Sequence, residues 1–407
     1  MSETSAPVPL LTPVDGVPPV VATHAALDAV AGSLAVGTGP VAVDTERASG
    51  YRYSQRAYLV QLRRAGSGTV LLDPTAVDGL SALTEVLNPL EWVLHAASQD
   101  LPSLAELGLE PAALFDTELA GRLAGFERVG LGPLVEQLLG YQLEKGHGAA
   151  DWSRRPLPRE WLTYAALDVE LLLPLRDAMA AELEAQGKTE WATEEFEAVR
   201  TAGPPPPRAD PWRRTSGIHR VRKPRQLAAI RELWMAREQI ARDSDLAPGR
   251  VLPDSSIMTA ALADPADEAA LLALPVFGGR AQRRRARTWS AALQAARVLP
   301  AGELPATHPP SGGPPPASRW EDRDPAAAAR LSAAREALTE LAERHQLPVQ
   351  NLLAPELVRR LCWQPPAVVD TATVDGMLRA GGARPWQREL TAAPLTEALH
   401  TEPPRVS

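Results

Sequence analysis

At 407 residues the chain exceeds what one ordinary core organises, so roughly two to four domains are expected. A hydrophobic content of 45% is that of a globular protein, and the single cysteine, Cys362, excludes an intramolecular disulfide and a Cys-rich zinc site, consistent with a reducing, cytoplasmic setting. A net charge of −8 argues against a general nucleic-acid coat, there is no basic-then-apolar leader, and no apolar run reaches membrane-spanning length, so no membrane partner is expected.

Residues 1–18 are rich in Pro and Ser and are expected to be disordered. A helical stretch over 25–35 leads into the strand Val41-Ala-Val-Asp-Thr-Glu46. Residues 57–63 and 69–73 are two strands joined by a Gly-containing connector, which predicts a hairpin. A helix over 80–87, a short strand over 91–95 and a helix over 99–107 capped by Ser98 come next. Leu114-Phe-Asp116 reads as a strand running into a helix that ends at Leu123, and one long helix is predicted over 158–186. Strands first, then alternating helix and strand, imply a mixed sheet with helices on both faces. Beyond the proline runs at 204–207 and 309–316, two helical modules follow. One contains amphipathic helices over 226–242, 254–262 and 283–296, and the other opens on an Ala-rich helix over 325–345.

Charge is unevenly spread. Residues 208–300 carry 17 Lys+Arg against 9 Asp+Glu, while the rest of the chain is strongly acidic. That division suits an enzyme whose carboxylates hold cations while a basic module holds phosphates, although a solvated helical surface also produces charge runs.

Three acidic stretches carry chemistry. Asp44 and Glu46 are two apart on a strand and so share a face, where a carboxylate pair can grip a hard divalent cation. Asp100 is placed in the first turn of a helix, a position that also favours acids for dipole reasons. Tyr164 and Asp168 stand four apart on one helix face, and Ala165 and Ala166 let that helix approach the sheet closely. A carboxylate turned toward a sheet is unfavourable unless it is paired or bound to metal.

Taken in order, Asp44-Thr-Glu46, Ser98-Gln-Asp-Leu101 and Tyr164-x3-Asp168 resemble the three exonuclease motifs of the DEDD superfamily, in its tyrosine branch. Residues 149–158, Ala-Ala-Asp-Trp-Ser-Arg-Arg-Pro-Leu-Pro, look specifically like ribonuclease D. Residues 225–234 with 236–243 resemble an HRDC domain, and 353–357 with 382–390 resemble the second, more divergent HRDC-like domain of that family. The resemblance implies an α/β fold: a ribonuclease H-like mixed-sheet exonuclease domain over 19–200 and two small all-α domains over 216–300 and 325–400. The linkers fall at 201–215 and 301–324, and 401–407 is a tail.

It further implies a 3′→5′ exonuclease using two divalent cations, Mg2+ or Mn2+. Asp44, Glu46 and Asp168 would hold one, Asp44 would bridge to a second contacted by Asp100, and Tyr164 would orient the attacking water. The expected substrate is RNA, with tRNA precursors or other structured RNA foremost and DNA as an alternative. A vestigial, non-catalytic RNA-binding fold is disfavoured because all four acids and the tyrosine are present. As nucleic-acid contacts the sequence offers Lys145, Trp152, Arg154 and Arg155 near the third motif, and Arg222, Lys223, Arg284 and Arg285 in the basic module. His95 reads as a hydrogen-bonded core residue and Cys362 as a small buried hydrophobe.

Overall fold

In the computed structural model, residues 6–144, 146–204, 206–307 and 312–402 are described. Lys145 therefore lies outside the described residues, as do parts of both proline runs. Eight strands are present among the described residues: β1 (Val8–Leu10), β2 (Val20–Val21), β3 (Thr38–Arg47), β4 (Ala57–Ala65), β5 (Gly68–Leu72), β6 (Glu91–Leu94), β7 (Ala113–Asp116) and β8 (Tyr141–Leu143). Six of them form a mixed sheet in the order β2-β5-β4-β3-β6-β7. The β3–β4 and β4–β5 pairs are antiparallel and the others parallel. The hairpin turn between β4 and β5 uses Gly66 and Gly68 at φ of 86° and 73°, values that only glycine adopts without strain.

On one face of β3, Val41 and Val43 are fully buried in the core they share with the helices His24–Val36 and Ser81–Leu87. The other face meets the helix Arg159–Glu170, where Ala165 and Ala166 are fully buried in a cluster with Leu59 and Leu71. Small side chains at the contact permit this close approach, in line with the sequence-based expectation.

Several elements differ from expectation. The helix expected over 158–186 is two, Arg159–Glu170 and Leu172–Ala185, with Leu171 non-helical at φ −107°, ψ 4°. Pro174 explains the break, because it cannot donate to the carbonyl of residue 170 and its ring crowds that turn. The helix expected over 283–296 likewise divides at Arg285 into Arg280–Arg284 and Ala286–Val298. Residues 8–10, expected to be disordered, pair in parallel with 141–143. Neither β8 nor the helices Leu131–Leu139 and Thr189–Arg200 were anticipated.

The two helical modules relate differently to the sheet domain. The middle module has its own buried core around Ile230, Ile257, Phe277 and Trp289, and Trp212, from the stretch expected to be a linker, is buried within it. The last module shares one continuous apolar cluster with the sheet domain. There Trp386 stacks on Trp191 with ring centroids 4.8 Å apart, and its indole N–H donates to Glu195 at 3.1 Å. Trp320, also from an expected linker, is fully buried and donates to the carbonyl of Pro315. Large aromatic area binds these segments more strongly than their proline content loosens them. No helix among the described residues is long and apolar enough to cross a membrane.

Candidate active site

Residues from separate elements converge where the polar face of β3 reaches its C-terminal end. Asp44 and Glu46 come from β3, and Asp168 from the helix Arg159–Glu170. One carboxylate oxygen from each of Asp44, Glu46 and Asp168 lies within 4.8 Å of the other two. They line a cavity of about 370 Å³, together with Asp100, Tyr164 and His95.

Asp100 reaches the cavity by a different route from the one its sequence suggests. Ser98 does not cap a helix. Residues Ala97–Gln99 form a single 3₁₀ turn, the helix begins at Leu101, and Asp100 stands at the N-cap position with its side chain making no capping bond. Its carboxylate instead accepts from the Thr45 hydroxyl at 2.7 Å and lies 3.6 Å from the Arg47 guanidinium. The turn is set by Ala96, which adopts a left-handed conformation at φ 60°, ψ 51°. Such a residue carries strain of roughly 1–2 kcal/mol. Asp116 holds it there by accepting from the amides of Ala96 at 3.0 Å and Ala97 at 2.8 Å. Asp116 also accepts from the amides of Glu118 and Leu119, capping the next helix. Thr45, Arg47 and Asp116 thus place Asp100, and sequence reasoning assigned none of them a role. A left-handed alanine leaves no mark in sequence.

Crowded acids in a pocket resist ionising. Burial, then the negative charges of Asp100, Asp168 and Glu46, hold the Asp44 carboxyl well above the usual carboxylate range. Burial and the repulsion of Asp168 and Asp100 raise Glu46 to about 9, against the opposing pull of Arg47. Burial raises Asp168 to about 7, opposed by a hydrogen bond from Tyr164. Burial raises Asp100 to about 6, opposed by the Thr45 bond and Arg47. The Tyr164 phenol is driven further up by burial and the neighbouring carboxylates, so it stays a hydrogen-bond donor. Burial lowers His95 to about 4, and its ring nitrogen Nδ1 lies 3.0 Å from the Thr117 hydroxyl. A neutral, internally bonded histidine agrees with the expected hydrogen bonding, but the ring is half-buried and lines the carboxylate cavity rather than the core.

Three desolvated carboxylates at this spacing repel one another unless a cation sits among them. Oxygen-only donors suit hard divalent ions such as Mg2+ or Mn2+. The donor set fits such a group.

The expected nucleic-acid contacts divide. Trp152 is fully buried, packed at a tilt on Trp161 with centroids 5.3 Å apart, and cannot stack on a base. Arg155 is exposed but its guanidinium is engaged: it holds Asp73 through two nitrogens at 2.6 and 2.8 Å and donates to the carbonyls of Trp152, Arg154 and Tyr58. Both assignments are corrected, because each side chain's binding capacity is already met within the fold. Arg154, Arg222, Lys223 and Arg284 are exposed, and Arg285 is half-buried.

Family models match three parts of the chain: a 3′-5′ exonuclease over residues 19–184, an HRDC domain over 226–293, and a 3′ to 5′ exonuclease C-terminal domain over 313–399. A ribonuclease D of Gluconacetobacter diazotrophicus is 33% identical over 335 residues, spanning 80% of this chain and 81% of the relative. Among solved structures, a protein from Bifidobacterium adolescentis is similar with a TM-score of 0.89 and 37% identity, over 97% of this chain and all of that one. Escherichia coli RNase D, described as an exoribonuclease involved in structured RNA processing, is similar with a TM-score of 0.67 and 25% identity, over 94% of this chain and 98% of that one.

Proposed function

Since this chain belongs to the ribonuclease D family and is a 3′→5′ exoribonuclease, we propose that it trims the 3′ ends of structured RNA, tRNA precursors among them, at a site where Asp44, Glu46, Asp100 and Asp168 hold two divalent cations, Mg2+ or Mn2+. The observation that carries this reading is the approach of three desolvated carboxylates to within 4.8 Å in an open cavity. When bound, the cations stabilise charge on both the attacking and the leaving oxygen. Asp44, Glu46 and Asp168 would hold the first ion and Asp100 would contribute to the second, its orientation set by Thr45 and Arg47. Tyr164, held neutral, directs the attacking water by hydrogen bonding rather than by taking its proton. A water O–H bond breaks and its proton passes to solvent as the water oxygen bonds to the terminal phosphorus; the bond to the penultimate nucleotide's 3′ oxygen breaks and that oxygen takes up a proton from solvent, releasing a nucleoside 5′-monophosphate and a shortened strand with a new 3′-hydroxyl. Exposed Arg222, Lys223, Arg284 and Arg154, with Arg285, supply sequence-independent phosphate contacts.

The test is the purified chain on matched 3′-labelled RNA and DNA oligomers, with Mg2+, with Mn2+ and with chelator. Stepwise release of 5′-mononucleotides from RNA, silenced by chelation, is expected. Faster cleavage of DNA would reassign the polymer, and activity resistant to chelation would remove the metal site.

A further inference from the structure

The loop that leaves β3 just beyond Glu46 and Arg47, residues 48–56, is held from outside by the HRDC module. Asp245 follows that module's helix Pro224–Asp243, and its Oδ1 accepts from the backbone amides of Tyr53 at 3.2 Å and Ser54 at 2.9 Å. The Tyr53 hydroxyl donates to Glu238 at 2.8 Å. The amide of Ala247 donates to the carbonyl of Tyr51 at 3.0 Å. Arg250 donates to the carbonyl of Gly50 at 2.8 Å, and its guanidinium lies 4.0 Å above the Tyr51 ring. Asp245 itself sits at φ 46°, a left-handed conformation that Asp and Asn tolerate best among residues with side chains.

The inner side of the same loop faces the chemistry. Ser49 and Gly50 line a cleft of about 300 Å³ together with Glu46, Arg47, Gly148 and Ala149. Glu46, Arg47 and Gly148 also line the carboxylate cavity, so the cleft adjoins it. Arg52 ties the loop to the segment that follows Ala149 by donating to Ser153 at 2.9 Å.

We infer that the turn Asp245–Arg250 of the HRDC module fixes one wall of the cleft through which a polynucleotide strand reaches Glu46, so that this module shapes substrate affinity at the exonuclease site itself. Asp245 is a positioning residue: it touches neither substrate nor reacting atoms. Its role in affinity rests on the exonuclease site proposed above, whereas its grip on the loop does not.

The experiment uses the full chain carrying Asp245→Ala or Asp245→Asn, with Arg250→Gln as an independent second variant. Three quantities are read: hydrogen exchange of the 48–56 segment, kcat and KM on a 3′-labelled RNA oligomer, and Mn2+ binding by calorimetry. With Asp245→Ala, exchange of the segment should speed up and KM should rise about tenfold, equivalent to about 1.4 kcal/mol. kcat should stay within about twofold and Mn2+ affinity should be unchanged, since a wall rather than the carboxylates has moved. Asp245→Asn should restore exchange and KM, because its carbonyl oxygen accepts the same two amides and asparagine tolerates the same φ. Arg250→Gln should move exchange and KM in the same direction as Asp245→Ala. Unchanged exchange in both Asp245→Ala and Arg250→Gln would overturn the clamp. Faster exchange with unchanged KM would overturn its role in affinity. A wild-type chain inactive on RNA would instead defeat the exonuclease reading, while the exchange result would still stand or fall by itself.

Discussion

Asp168→Asn should make the metal-free protein more stable while abolishing its activity. The carboxyl is raised from 3.8 to about 7, chiefly by burial. The sign follows from linkage: a raised carboxyl destabilises the fold once the unfolded chain ionises, beginning near pH 4 and complete above about pH 7. At pH 8 the shift of roughly 3 units sets a ceiling of about 4 kcal/mol, and less than about half of it remains at pH 5. Water in the open cavity lowers the ceiling, so a gain of about 2 kcal/mol is expected at pH 8, or about 4–8 °C in melting temperature for a domain of this size. Asparagine keeps an acceptor for the Tyr164 hydroxyl, so packing is preserved. Mg2+ at about a hundredfold above its Kd should stabilise the wild type by about 2.7 kcal/mol and the variant far less. Scanning calorimetry of both proteins at pH 5 and pH 8, with Mg2+ and with chelator, supplies all the comparisons. A variant no more stable than wild type at pH 8, or a gain equal at both pH values, would refute the reasoning.

Arg155→Ala should lower stability by about 2–3 kcal/mol by leaving buried Asp73 unpaired, with RNA affinity of the folded protein unchanged; urea melts and a binding titration check the two halves. His95 is held neutral with a folded value of about 4 against an ordinary 6.5, so stability should be complete above about pH 6.5 and fall by up to about 3 kcal/mol as pH drops toward 4. His95→Gln should flatten that acid limb in melts recorded across the same range. Trp386→Ala should cost about 3–5 kcal/mol and lower the melting temperature of the sheet domain as well as the last module, because the two share one apolar cluster. Independent melting of the sheet domain at its original temperature would show that the cluster is not cooperative.

The polar face of β3 was legible because a strand alternates with period two, which puts Asp44 and Glu46 together without any tertiary information. Tyr164 and Asp168 were legible for the matching reason on a helix. Pro174 also marked the helix break, though the apolar spacing on either side of it concealed the consequence. Trp152 and Arg155 were misread because a loop's composition does not say what its side chains meet; here Trp152 is buried and the Arg155 guanidinium, though exposed, is taken up by Asp73 and backbone carbonyls.

What the sequence determined by itself was local: which residues share a face of a strand or helix, and which acidic motifs occur in what order. Periodicity acts over a few residues, and so it can be read along the chain. Tertiary structure alone decided that Asp44, Glu46 and Asp168 meet within 4.8 Å, that Asp100 is swung in by a left-handed alanine held by Asp116, and that the turn after helix Pro224–Asp243 grips a loop nearly two hundred residues earlier. Those outcomes depend on contacts between distant segments, whose energies come from burial and desolvation that no local pattern encodes.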